Sequence, residues 1–192
     1  MTDLVYRKVE DDKFRSLTEW AKCSLDHGPW IAGGSVRKIW QGKRFDDGDI
    51  DFFFRNTAQL IEVSGQIARL GQSHRVLADT NNAITYKIFF GNGETTTIQL
   101  IRKNFYNDLK ELLYTFDLCL SQFASDSVNM VAMSGALADL GHNRIRLNEK
   151  FSEKLNPLRV LKYAAYGFDP DEELLINASK KIVTGDWHDL GY

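Results

Sequence analysis

The residue pattern predicts a mixed α+β fold, a mixed β-sheet flanked by helices and followed by a small helical C-terminal segment. Short runs rich in β-branched and aromatic residues recur between segments whose apolar residues follow the 3.6-residue period. Gly91-Asn92-Gly93-Glu94 separates two of those runs and is a strong hairpin signal. Past Phe151 the composition turns to helix formers without strand signals.

Taken in order, residues 11 to 26 place Phe14, Leu17, Trp20, Ala21 and Leu25 on one face, with acids at the start, and predict an amphipathic helix. His27-Gly28-Pro29 ends it. Trp30-Ile31-Ala32 is a short strand entering a Gly33-Gly34 turn, and a second helix runs from about Ser35 to Gln41, where Gly42 stops it. A polar loop over residues 42 to 48, containing Asp46 and Asp47, leads into an apolar strand from Asp49 to Phe54. Asn56-Thr57 caps a third helix over about 58 to 70, with Leu60, Ile61, Ile67 and Leu70 inward and Gly71 closing it. Three β-like runs follow, over residues 74 to 79, 83 to 90 and 95 to 101, the last two forming the hairpin. A helix near 106 to 113 precedes residues 116 to 124, which read as strand or helix. Residues 128 to 133 form a strand and 134 to 140 a short helix. Pro157 starts a helix that Gly167 ends. Asp169-Pro170-Asp171 caps the last one, from about 171 to 182. The composition change near 150 divides the chain into residues 1–150 and 151–192.

With 192 residues, the chain is long enough for one compact unit with an appendage. Hydrophobic residues at 43% and aromatics at 12% are ordinary for a globular protein and support a sizeable core. No apolar run reaches the ~18 residues of a membrane span, and Met1-Thr2-Asp3-Leu4 opens no basic-then-apolar leader, so the expectation is a cytoplasmic protein without a membrane partner. Cys23 and Cys119 each stand alone in an apolar segment and read as buried reduced thiols. A net charge of -2 without Lys/Arg runs excludes a protein that coats nucleic acid electrostatically. Nothing in the pattern sets an oligomeric state.

Chemistry concentrates between residues 31 and 54. In a strand, side chains alternate between faces, so Asp49 and Asp51 share one face while Ile50, Phe52 and Phe54 take the other. Two adjacent carboxylates repel each other and are tolerated together when a divalent cation sits between them. Glycines beside a helix start let backbone N–H groups approach an anion. Phosphate and metal therefore belong to one corner. Lys43, Arg44, Arg102 and Lys103 are candidates for a basic rim around it.

The arrangement Gly33-Gly34-Ser35-Val36-Arg37-Lys38-Ile39-Trp40-Gln41-Gly42-Lys43, then Asp49-Ile50-Asp51, resembles the head motif of the nucleotidyltransferase superfamily that includes DNA polymerase beta. It is most similar to the bacterial CCA-adding and poly(A) polymerase branch, whose pattern runs G-G-x-V-R-D-x-L-L-G-R, a short loop, then D-x-D. Downstream, Asp117 and Ser121 lie where that family has a nucleotide-holding segment, although its arginines are missing. Gly135 to Leu140, Asn143 to Arg146, Asn156-Pro157-Leu158-Arg159 and Gly167-Phe168 resemble its later motifs. Leu155 and Asn156 replace two acids of the base-pairing set, and Arg159 is kept.

The resemblance implies a nucleotidyltransferase head over 1–150 with a neck-like helical segment over 151–192. It implies a Mg2+-dependent enzyme with two ions at Asp49 and Asp51, which are both the catalytic and the metal-binding residues. An NTP is the substrate, with Gly33, Gly34, Ser35, Arg37, Asp117 and Arg159 binding the nucleotide. The acceptor it implies is an RNA or tRNA 3′ end, with a protein or small-molecule acceptor, or a non-catalytic binding module, as the alternatives. The superfamily commonly carries a third carboxylate on the strand that here runs from Thr95 to Ile101. That strand offers Thr97 and Gln99, with Glu94 at its turn, so the third place falls to Asp117, stays at two carboxylates, or leaves the site impaired.

Overall fold

The computed structural model of the chain describes residues 3–45, 48–69, 73–89, 93–148 and 156–185. Among the described residues ten strands and seven α-helices alternate, and the class is the expected mixed α+β. Eight strands make one sheet. They are β1 (Leu4–Lys8), β2 (Trp30–Ala32), β3 (Asp49–Phe53), β4 (Ser73–Asp79), β5 (Ala83–Phe89), β6 (Thr95–Ile101), β7 (Phe123–Ser125) and β8 (Asn129–Met133). Their order across the sheet is β1-β8-β7-β2-β3-β6-β5-β4, with β3 and β6 parallel and every other pair antiparallel. β9 (Arg144–Ile145) and β10 (Asp169–Pro170) pair separately.

The helices are α1 (Asp12–Thr18), α2 (Gly34–Trp40), α3 (Thr57–Arg69), α4 (Leu109–Tyr114), α5 (Ser134–Gly141), α6 (Pro157–Ala165) and α7 (Glu172–Thr184). Among the described residues, no helix is long and apolar enough to cross a membrane. Aspartate and asparagine caps set several starts. Asp11 accepts from the Phe14 N–H, Asp108 from Glu111 and Asp171 from Leu174, each an orphan donor of a first turn. Pro157 stands at the first turn of α6, where its missing N–H costs nothing, and Asn156 accepts from Leu158.

The main core lies between the sheet and α1 to α5, with Trp30, Phe14, Phe52, Phe53, Phe54 and Phe123 fully buried. A second cluster joins Leu118, Leu120 and Ile145 to Val160, Tyr163, Phe168, Leu174 and Ala178. It draws on both sides of residue 150 and packs α6 and α7 onto the end of the sheet domain.

Several local expectations are corrected. The first helix stops at Thr18 and tightens into a 3-10 turn over Glu19–Ala21 before Lys22 turns left-handed at φ 48. The Trp20 indole N–H donates to the Leu17 carbonyl there, satisfying a C-terminal acceptor. In α3 the buried face is Leu60, Val63 and Ile67, while Ile61 is 66% exposed. α4 starts at Leu109, where its Asp108 cap lies, rather than near 106. Residues 116 to 124 resolve into a 3-10 turn over Cys119–Ser121 followed by β7. β1, β9 and β10 have no counterpart in the sequence reading. Leu70, Gly71, the hairpin residues Gly91 and Asn92, Leu155, and Asp46 and Asp47 lie outside the described residues, whereas the β5–β6 pairing is present from Ala83↔Ile101 to Phe89↔Thr95.

Candidate functional site

β3 is a central strand, and its period of two divides it as expected. Ile50 and Phe52 are fully buried, Asp49 is exposed and Asp51 is half-buried on the opposite face. Phe53 continues the aspartate face inward, where the edges of Tyr106 and Phe116 pack against it. The parallel register with β6 sets Thr97 opposite Asp49 and Gln99 opposite Asp51. The neighbour of the carboxylate pair is thus a neutral amide. Among the described residues, no group of three or more His, Cys, Asp and Glu converges. Of the other candidates for a third acid, Glu94 pairs with Lys13 at 3.3 Å and Asp117 pairs with Arg159 at 3.0 Å.

A cleft of about 540 Å³ opens over Asp49 and Asp51, within the size range of small-molecule sites. Gly34, Ser35, Arg37 and Lys38 line it from α2, and Phe45 and Gly48 from the loop before β3. Gln99 joins from β6, and Asn156, Arg159, Lys162, Tyr163 and Tyr166 from α6 and its ends. Burial, and then the charge of Asp49, push the Asp51 carboxyl up to about 7, while Arg159 and Lys162 pull it down. A carboxylate so placed gains from a cation.

Gly33 holds φ at 96, a conformation that L side chains rarely adopt, and this turns the chain from β2 into α2. Its N–H donates to the Phe123 carbonyl at 2.9 Å, so Gly33 contributes conformation rather than a free donor. Gly34 has open space where a Cβ would stand. One step further, the buried Ser35 Oγ and the Arg37 Nε and Nη1 have no hydrogen-bond partner among the described residues. Arg37 is 3% exposed, its guanidinium 4.6 Å from the Tyr163 ring centroid and 4.9 Å from that of Phe168. Burial lowers its pKa. Cation–π contacts compensate part of the desolvation but satisfy none of the N–H donors.

Arg159 is held from behind. Its Nη1 meets Asp117 Oδ1 at 3.0 Å and its Nη2 donates to Ser121 Oγ at 3.2 Å, while that hydroxyl shares a 2.9 Å hydrogen bond with Tyr163 OH. Asp117 therefore stands behind the cleft, not beside Asp51. The expected basic rim does not assemble. Arg102 pairs with Asp79 and Thr80, and Lys43 and Arg44 line a separate cleft with Arg7, Lys8 and Lys13.

Of the residues expected at the site, Gly34, Ser35, Arg37, Asp49, Asp51 and Arg159 meet in one cleft, Gly33 shapes its floor and Asp117 anchors Arg159. Lys38, Lys162, Tyr163 and Tyr166 were missed by reading residues. The signal for the last three was present, since 159, 162, 163 and 166 are spaced i, i+3, i+4, i+7 and share one helical face.

A family model described as Gad2, Gabija anti-defense 2 family protein, matches residues 6–143. The chain belongs to the Gabija anti-defense 2 family. No curated protein sequence matches it. Among solved structures this family member is similar to a CCA-adding enzyme in apo form I, at 20% identity and a TM-score of 0.63, over 95% of this chain and 47% of that one. The Thermotoga maritima CCA-adding enzyme complexed with tRNA-CCA is 21% identical, with a TM-score of 0.63 over 92% of this chain and 46% of the other. A tRNA nucleotidyltransferase complexed with a primer tRNA and an incoming ATP analog is 23% identical, with a TM-score of 0.58 over 83% and 48%. These likenesses establish a nucleotidyltransferase-like fold, and the chain spans about half the length of each of these structures.

Proposed function

We propose that the cleft is a nucleotidyltransferase active site that moves a nucleoside monophosphate from an NTP to an acceptor hydroxyl, and that this transfer acts against Gabija defence. One observation carries the reading. The same cleft holds a repelling carboxylate pair and, on α2, buried hydroxyl and guanidinium donors that find no hydrogen-bond partner among the described residues. A metal-bound triphosphate satisfies both.

The donor set fits the metal. Asp49, Asp51 and the amide oxygen that Gln99 offers are hard oxygen ligands of the kind Mg2+ takes, and a cation relieves the repulsion that burial intensifies at Asp51. Two Mg2+ ions held by Asp49 and Asp51 supply neutralisation of phosphate charge and a lower pKa for the acceptor hydroxyl. Ser35 Oγ and Arg37 donate to phosphate oxygens, and the open side of Gly34 lets backbone approach them. Asp117 and Ser121 fix Arg159 at the cleft wall, and Lys162 adds positive charge where pyrophosphate leaves.

The likeness to structures holding tRNA supports an RNA or tRNA 3′ end as acceptor, and the family description supports a protein or small-molecule acceptor belonging to the defence. A cytoplasmic setting, where NTPs are available, agrees with this reading. Gln99 in the position beside Asp51 favours a second reading, a nucleotide-binding module without turnover. The test is incubation of the protein with α-labelled NTPs and Mg2+ together with RNA and with lysate containing Gabija components. Expected is label transfer that Asp51→Ala abolishes. Transfer unchanged in that variant overturns the assignment, and metal-dependent NTP binding without transfer to any acceptor selects the binding module.

A further inference from the structure

We infer that Tyr166 is the platform on which the nucleobase stacks, so that the cleft takes nucleotides without selecting one base. This rests on the cleft being a nucleotide site. Two polar side chains at the start of α6 are tied to the protein. Asn156 Oδ1 accepts from the Leu158 N–H at 3.0 Å as the helix cap. The Arg159 guanidinium is occupied at Nη1 by Asp117 and at Nη2 by Ser121.

Tyr166 is different. It is 51% exposed and lines the cleft one helical turn beyond Lys162, and its ring lies edge-on to Tyr163, with centroids 6.2 Å apart and planes at 68°. Tyr163 is itself immobilised by the Ser121 hydrogen bond and by the Arg37 guanidinium over its ring. A half-exposed aromatic braced on a fixed one, beside a cationic wall that holds phosphate, is the arrangement that single bases use for stacking. Such stacking tolerates any base, because every base has a π-face. Tyrosine loses little conformational freedom when a base covers it, since it has two side-chain torsions.

The experiment compares binding of ATP, GTP, CTP, UTP and inorganic tripolyphosphate to the full chain with Mg2+, for the natural protein, Tyr166→Ala and Tyr166→Phe. Expected are the four NTPs within a few-fold of each other, all about tenfold tighter than tripolyphosphate, from the size of a base–aromatic stack. Tyr166→Ala should remove that tenfold advantage while leaving tripolyphosphate affinity unchanged, and Tyr166→Phe should keep it. Equal NTP affinity in the natural protein and Tyr166→Ala, or a hundredfold preference for one base, overturns the platform while the phosphate site stands. Absence of binding by both NTPs and tripolyphosphate overturns the platform and the nucleotide reading together. A melting temperature of Tyr166→Ala equal to that of the natural protein separates loss of stacking from loss of fold.

Discussion

Asp51 carries a conflict that a single substitution can expose. Its carboxyl titrates at about 7 because burial and the neighbouring Asp49 oppose its charge. In the unfolded chain an aspartate titrates near ~3.9. Between these values the folded state binds more protons than the unfolded one, so stability falls as pH rises from about 4 to about 7 and the full penalty persists above 7. Asp51→Asn removes the charge and keeps the shape. In EDTA at pH 8 the variant should melt about 2–4 °C higher than the natural protein, corresponding to roughly 1 kcal/mol for a chain of this size. At pH 4 the gain should vanish. A variant that melts lower at pH 8 would mean that the Asp51 carboxylate is stabilised by the folded protein. Arg37 presents the mirror case, a buried cation that lies against two aromatic rings and whose N–H donors at Nε and Nη1 go unmet among the described residues.

Elements bring these residues together through few, specific ties. The Asp11 carboxylate caps α1 through the Phe14 N–H at 2.7 Å and holds the Phe45 N–H at 2.8 Å, fixing the loop that delivers Phe45 to the cleft and leads to β3. Asp11→Ala loses both bonds and should cost about 1–2 kcal/mol, at the upper end for a cap. Scanning calorimetry against Asp12→Ala, whose carboxylate is 94% exposed, would check it, and equal melting of the two variants would refute it. The elements were legible where local pattern decides them. β2, the Gly33-Gly34 turn, α2 and the two-residue period of β3 follow from neighbours in sequence, and they carry the carboxylate pair. β1 was not legible. It is an edge strand in which only Leu4 is half-buried, so no alternation marks it, and its existence depends on pairing with β8 from Leu4↔Met133 to Lys8↔Asn129. Gln99 beside Asp51 is a matter of register between strands that lie far apart in sequence. The spacing of Lys162, Tyr163 and Tyr166 puts them on one helical face with Arg159, but that this face meets the cleft follows from the docking of α6 through the second cluster.

At the scale of the whole molecule, the cleft lies where two apolar clusters meet, and Arg37 spans them. α2 belongs to the main core through Val36 and Ile39, yet its Arg37 guanidinium lies against the rings of both Tyr163 and Phe168 of the second cluster. Leu118, Leu120 and Ile145 tie that second cluster to the chain before residue 150. Loosening one cluster therefore removes support from both walls of the site. Phe168 tests this coupling, because it is buried, contacts Tyr163 with ring centroids 6.0 Å apart and covers one side of Arg37. Phe168→Ala removes a buried aromatic and leaves a cavity, costing about 3–5 kcal/mol, so melting should fall on the order of 10 °C. With the clusters coupled, the variant, made together with Trp187→Phe, should still melt in one transition followed identically by tryptophan fluorescence, which then reports Trp20, Trp30 and Trp40 of the main core, and by far-ultraviolet circular dichroism. If the helical signal of α6 and α7 is lost first and fluorescence follows at the natural temperature, the molecule divides near residue 150 into two independently stable units. In that case Arg37 links them without making them cooperate.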